Sequence, residues 1–89
     1  MNNDLATIET RISTLLTRYL GPHWSLNPEL RVDITGSTGL QSDLTLDSFQ
    51  VMEFLIEIED EFDLAINMSQ LSDVRTVSDL AAVVARHLD

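Results

Sequence analysis

Apolar side chains recur at helical spacing in three stretches of the 89-residue chain, and the period is lost between the first two. Over residues 4–20, Leu5, Ile8, Ile12, Leu15, Leu16 and Tyr19 share one helical face, and Asn3 or Asp4 can cap the start. Gly21 and Pro22 predict a clean end there, since glycine accepts a left-handed turn and proline cannot continue a helix. Residues 21–46 then form a long connection punctuated by Pro22, Pro28, Gly36 and Gly39, a length that usually serves a function or a tether. Trp24, Leu26, Leu30, Val32, Ile34, Leu40 and Leu44 are the expected pins of this connection to the core, and Trp24 reads as an anchor rather than part of a binding box. A second helix is expected from Ser48 to Phe62, with Asp47 as N-cap and Gln50 completing a capping box. A turn or one-turn helix is expected around Ser69 to Asp73. The last helix opens at Thr76-Val77-Ser78-Asp79, a capping signature, and turns Val77, Leu80, Val84 and Leu88 inward. No strand period or repeat appears. The expected fold is all-α: a small four-helix bundle, three main helices and one short one, in a single domain over residues 1–89.

The second helix carries more apolar surface than a core needs. At 100° per residue, Val51, Phe54, Leu55, Ile58 and Phe62 form the core face, while Phe49, Met52 and Ile56 form a second stripe roughly opposite. That stripe starts beside Ser48 and is flanked by Glu53, Glu59, Asp60 and Asp63. Apolar anchors rimmed by charge describe a surface for another protein.

Charge sharpens the picture. The net charge is −10, and all of it belongs to residues 32–74, which hold ten acids and no base. Such a field repels nucleic acid and anionic lipid and attracts a protein with an Arg/Lys patch. Within the second helix, Glu53–Glu57, Glu57–Glu61 and Glu59–Asp63 are like-charged at four-residue spacing, each costing about 0.2–0.5 kcal/mol. Several acids also sit at the C-terminal end, where the helix dipole disfavours them. The total is about 1–2 kcal/mol against a typical stability of about 5–15 kcal/mol, an arrangement that binding to a basic partner explains better than solubility does.

Other chemistry is thin. There is no cysteine, hence no disulfide or thiolate metal site, and two histidines cannot make a zinc site. No apolar run approaches the roughly 18 residues of a membrane span, and no secretory leader pattern opens the chain. The expectation is a cytoplasmic monomer without metal. Ser48 lacks a neighbouring histidine and a Gly-x-Ser-x-Gly elbow, so it is poorly equipped as a catalytic nucleophile. Glu57 to Asp63 lacks the ligand order and turn glycine of a calcium loop. The start of a helix does suit an anion, because unpaired N–H groups and the dipole both favour negative charge.

Asp47-Ser48-Phe49 resembles the Asp-Ser-Leu attachment motif of acyl carrier proteins, in which the serine is esterified with 4′-phosphopantetheine. Asp43-Leu44-x-x-Asp47-Ser48 is similar to that family's lead-in, Met52-Glu53 and Glu59-Asp60-Glu61-Phe62 to its later acidic stretch, and Ile66 and Thr76-Val77 to the residues that follow, all without a gap. The likeness covers about residues 40–88. It implies a free-standing, non-catalytic carrier of an acyl or aminoacyl thioester, with Ser48 as attachment residue and 4′-phosphopantetheine, derived from coenzyme A, as cofactor. It also implies that Asp47 caps the helix and helps to dock a phosphopantetheinyl transferase. Phe49, Met52 and Ile56 become the apolar part of a partner surface, and Glu53, Glu59 and Asp60 its acidic part, facing loading and acyl-transferring enzymes with basic patches.

Four departures point to a specialised member. The usual glycine two residues before the aspartate is Thr45, leucine is replaced by Phe49, Glu57 occupies a position where small residues are common, and Asn67 stands in place of a frequent proline. Leu46-Asp47-Ser48-Phe49 is also similar to D-alanyl carriers. The absence of a Pro- or Ser-rich linker before Asp89 favours a discrete protein. The competing expectation is an unmodified acidic adaptor that uses the same stripe to bind a basic protein.

Overall fold

A computed structural model of the chain describes residues 4–88, with Met68 described by its backbone alone; Asn3, one of the two expected caps, lies outside these residues. Four α-helices follow one another: α1 Leu5–Leu26, α2 Ser48–Phe62, α3 Met68–Leu71 and α4 Val77–Leu88, with a 3₁₀ turn at Pro28–Leu30. Asp4 caps α1 by accepting from the Thr7 N–H at 2.8 Å. α1 packs against both α2 and α4, and Ile8, Ile12, Leu16, Phe54, Ile58, Val77, Leu80 and Val84 are almost wholly withdrawn from water between them.

α1 is longer than its punctuation predicts. It runs through Gly21-Pro22 to Leu26, where the Asn27 N–H and side-chain amide both donate to the His23 carbonyl, at 3.0 and 3.1 Å. Proline and glycine inside a helix cost together about 4 kcal/mol relative to alanine. Against this, Trp24 is only 7% exposed and lies one turn beyond buried Leu20. Burying an indole removes about 150–250 Å² from water, worth about 4–6 kcal/mol at about 25 cal/mol per Å². Pro22 is exposed and so is Arg18, whose carbonyl loses its helical donor on the side where water can replace it.

The longer helix rearranges the expected pins. Leu26, Leu30 and Val32 are exposed rather than buried, because the helix carries Leu26 beyond the core and the chain then leaves along the outside. Ile34 is partly buried, and Leu40, Leu44 and Leu46 are buried. His23, expected in the connection, sits in the last turns of α1.

The connection therefore spans 27–47, and its second half is a hydrogen-bonded unit stitched to the start of α4. Leu40 N–H donates to the Arg75 carbonyl at 2.8 Å, Val77 N–H to Thr38 at 3.0 Å and Ser78 N–H to Gly36 at 2.8 Å. Asp43 folds back to accept from the Gly39 N–H at 2.7 Å. A side chain at position 39 would collide with the Ser42 hydroxyl, which would have to rotate away to admit it.

α2 has the expected bounds and capping box: Asp47 accepts from the Gln50 N–H at 2.8 Å and Gln50 Oε1 from the Asp47 N–H at 3.1 Å. α3 begins one residue before the expected turn, with the Gln70 side chain accepting from the Asn67 N–H at 3.1 Å. At α4, Asp79 accepts from the Arg75 and Thr76 N–H groups, which hold its carboxyl below the usual range, and Thr76 Oγ1 accepts from the Asp79 N–H at 3.1 Å. These are the partners its capping signature predicts.

Candidate functional site

Ser48 reaches the surface because of the alternation before it. Leu44 and Leu46 are buried, Thr45 and Asp47 are exposed, and the chain enters α2 with Ser48 at its first turn. Thr45 has φ = 55°, in the left-handed region that β-branched residues avoid. The position where the resemblance expects glycine has positive φ in this chain, and threonine occupies it under strain. The Ser48 hydroxyl makes no hydrogen bond within the described residues. His87 is turned to Gln70 Oε1 at 2.9 Å, so among the described residues no histidine is hydrogen-bonded to Ser48.

Beside Ser48 lies an open groove of about 630 Å³ between α2, α3 and the connection. Its rim is polar, with Gln41, Ser42, Ser72 and Arg75; its floor is Val51, Leu55, Leu71 and Val74. The same floor residues line a small apolar cavity of about 30 Å³ that continues inward to Phe54 and Leu80. That cavity has room for about one water molecule. The groove was not foreseen. Its one sequence trace is Arg75, the base that ends the acidic stretch.

The second stripe of α2 is on the surface. Phe49 is 69% exposed, Met52 49% and Ile56 60%. α1 and α2 run antiparallel, since the Tyr19 ring lies 5.8 Å from that of Phe54 while Arg11 sits 4.2 Å over Phe62. The stripe faces away from that contact.

Several acids also have work inside the fold. Glu53 accepts from the Tyr19 hydroxyl at 2.8 Å; burial, then this contact, pushes the Tyr19 pKa up to about 12. Glu59 is half-buried and accepts from the Ile66 N–H at 2.8 Å, tying the α2–α3 connection to the helix. Glu61 pairs with Arg11 at 3.0 Å. The expected crowding cost is therefore partly offset within the molecule, and the acids do not by themselves require a basic partner. Glu57, Asp60 and Asp63 remain exposed along the stripe, without an ion pair among the described residues.

A helical bundle that presents a serine at the start of its second helix, free of catalytic neighbours and beside a groove, defines a carrier domain. The family model for a phosphopantetheine attachment site matches residues 26–84, and the chain belongs to that family, among the acyl carrier proteins. It is 33% identical over 54 residues to an acyl carrier protein of Lactobacillus acidophilus, a match covering 61% of this chain and 68% of that one. It is 32% identical over 53 residues to a protein of Caulobacter vibrioides named as a probable acyl carrier protein, covering 60% of this chain and 62% of that relative's length. The solved structure of a candidate acyl carrier protein from Mycobacterium tuberculosis superposes with a TM-score of 0.69 at 32% identity, covering 89% of this chain and 96% of the other. The four-helix, all-α expectation holds.

The prosthetic group of this family is covalently attached 4′-phosphopantetheine. The residues present fit it: an accessible hydroxyl, a helix start favourable to a phosphate, and a groove with hydrogen-bonding rim and apolar floor. Among the described residues there is no cluster able to hold a metal ion, and no helix is long and apolar enough to cross a membrane.

Proposed function

We propose that the chain is a non-catalytic cytoplasmic carrier in which Ser48 bears the phosphopantetheine arm and delivers an acyl or aminoacyl group to partner enzymes. The observation that carries this is Ser48 itself, an unpartnered hydroxyl at the first turn of α2 on the lip of a groove. When bound, the group supplies a flexible arm whose terminal thiol holds the cargo as a thioester.

In the attachment step, Ser48 Oγ attacks the phosphorus of coenzyme A that bears pantetheine. A P–O bond forms to serine, the bond to the adenosine bisphosphate breaks, and the serine proton passes to a base on the transferase. In this division of labour the chain presents the hydroxyl, Asp47 holds the helix start in place, and the transferase brings the base. Phe49, Met52 and Ile56 offer the apolar contact, with Asp60 as acidic rim. Glu53 and Glu59 add charge to that rim while anchored to Tyr19 and the Ile66 N–H. Loading and transferring enzymes with basic patches dock on this face of a single-domain monomer.

Intact-protein mass spectrometry tests the proposal after incubation with coenzyme A, magnesium and a broad-specificity phosphopantetheinyl transferase. One phosphopantetheinyl group is expected on the wild type and none on Ser48→Ala. No gain on folded wild-type protein with several transferases would overturn the carrier and leave an unmodified acidic adaptor.

A further inference from the structure

Among the described residues, the groove beside Ser48 has one cation in its lining, Arg75. Residues 32–74 hold ten acids and no base, so a phosphodiester on Ser48 enters a field that is negative almost everywhere around it. Arg75 lines the same groove as Ser48, is exposed, and among the described residues has no carboxylate within ion-pair distance. Asp79 feels the Arg75 charge, while its carboxylate accepts from the backbone N–H groups of Arg75 and Thr76. The position of Arg75 is itself fixed by its main chain, because its carbonyl accepts from Leu40 and its N–H donates to Asp79. Among the described residues its guanidinium makes no hydrogen bond and no ion pair, and it reaches Asp79 only as a nearby charge.

We infer that Arg75 pairs with the phosphodiester on Ser48 and draws the arm into the groove, a role that rests on the carrier reading above. Gln41, Ser42 and Ser72 on the rim offer donors and acceptors suited to the arm's amides, and the floor of Leu55, Leu71 and Val74 receives its apolar end. A guanidinium suits this task because it stays charged and can donate two parallel N–H bonds to phosphate oxygens. Arg75 is a positioning residue: it biases the arm between a sheltered state in the groove and an extended state that a partner can reach. A partner with its own basic patch would compete for the same phosphate and so favour extension.

The experiment uses the phosphopantetheinylated protein as wild type, Arg75→Gln and Arg75→Lys. Two quantities are read: the rate of alkylation of the arm's thiol by an uncharged reagent at low and high salt, and the Arg75 side-chain NMR signal with and without the arm. An exposed charge pair is modest, so the low-salt thiol of Arg75→Gln should react about two- to fivefold faster than wild type. High salt should bring wild type up to the variant's rate, Arg75→Lys should fall between them, and the Arg75 signal should shift when the arm is attached. Melting of the unmodified proteins should coincide, since the main-chain bonds of residue 75 are retained. Equal thiol rates in wild type and Arg75→Gln at both salts, with no shift of the Arg75 signal, would overturn the inference while the arm on Ser48 left the carrier reading intact. Failure of that reading shows separately, as no mass gain before any Arg75 variant is compared.

Discussion

Replacing Thr45 with glycine should stabilise the protein, although it removes a side chain. Thr45 sits at φ = 55° two residues before the Asp47 cap. A left-handed conformation costs an ordinary L-residue about 1–2 kcal/mol. Glycine removes that strain but adds freedom to the unfolded chain, worth about 0.4–1 kcal/mol in the opposite sense. The Thr45 hydroxyl makes only a local bond, to the Leu44 carbonyl at 2.7 Å, on an exposed residue whose loss water can compensate. The net expectation is a gain of about 0.5–1 kcal/mol, or about 2–8 °C in Tm for a domain of this size. Urea unfolding of wild type, Thr45→Gly, Thr45→Asn and Thr45→Val measures it. Asparagine tolerates the left-handed region without glycine's flexibility and should match or exceed glycine, whereas valine keeps the β-branch and should give no gain. A midpoint lowered in both Thr45→Gly and Thr45→Asn, with unchanged denaturant slope, would refute the strain argument.

Asp47→Ala should lose about 1 kcal/mol in urea unfolding through the broken cap, while Asp47→Asn should stay within a few tenths because asparagine caps as well. If Asp47→Asn nevertheless slows transferase-dependent modification, the carboxylate is read by the partner. Phe54→Ala should cost about 3–5 kcal/mol, whereas Ile56→Ser, changing an exposed residue, should stay within about 0.5 kcal/mol yet lower kcat/KM of the transferase. Pro22→Ala restores the N–H facing the Arg18 carbonyl and should raise stability by up to about 3 kcal/mol; an unchanged melt would show that the last turns of α1 are not helical in solution. Tyr19 has its pKa raised to about 12, so its neutral form is favoured by the fold. That stabilisation is complete below pH 10 and is lost as pH rises through 12, and Tyr19→Phe should flatten the melting profile across that window.

The parts of the fold that the sequence made legible are those decided by neighbours in the chain. Asp47 with Gln50 and Thr76 with Asp79 are capping pairs that act over three residues, so helix starts at 48 and 77 follow from local hydrogen bonding. The exposed stripe of Phe49, Met52 and Ile56 was legible because one helix cannot turn both faces to a single core. Ser48 stood out for a related reason, since its surroundings in the chain lack any base to activate it.

What depended on distant residues was read less well. Gly21-Pro22 is a stop signal on local energetics, and only the burial of Trp24 in the core reverses it. The same extension expelled Leu26 from the core. Glu53, Glu59 and Glu61 look alike in sequence as surplus negative charge, yet folding gives them the Tyr19 hydroxyl, the Ile66 N–H and Arg11.

The chain by itself therefore determined an all-α bundle, the ends of α2, the accessible serine and the second apolar stripe, because helical period and capping act within a few residues. Only the tertiary structure decided the length of α1, the strain at Thr45 and the groove that joins Ser48 to Arg75. The groove arises where residues 27 apart along the chain, 48 and 75, are brought together, and the length of α1 follows from the burial of Trp24; no local pattern records which side chains will meet in either place.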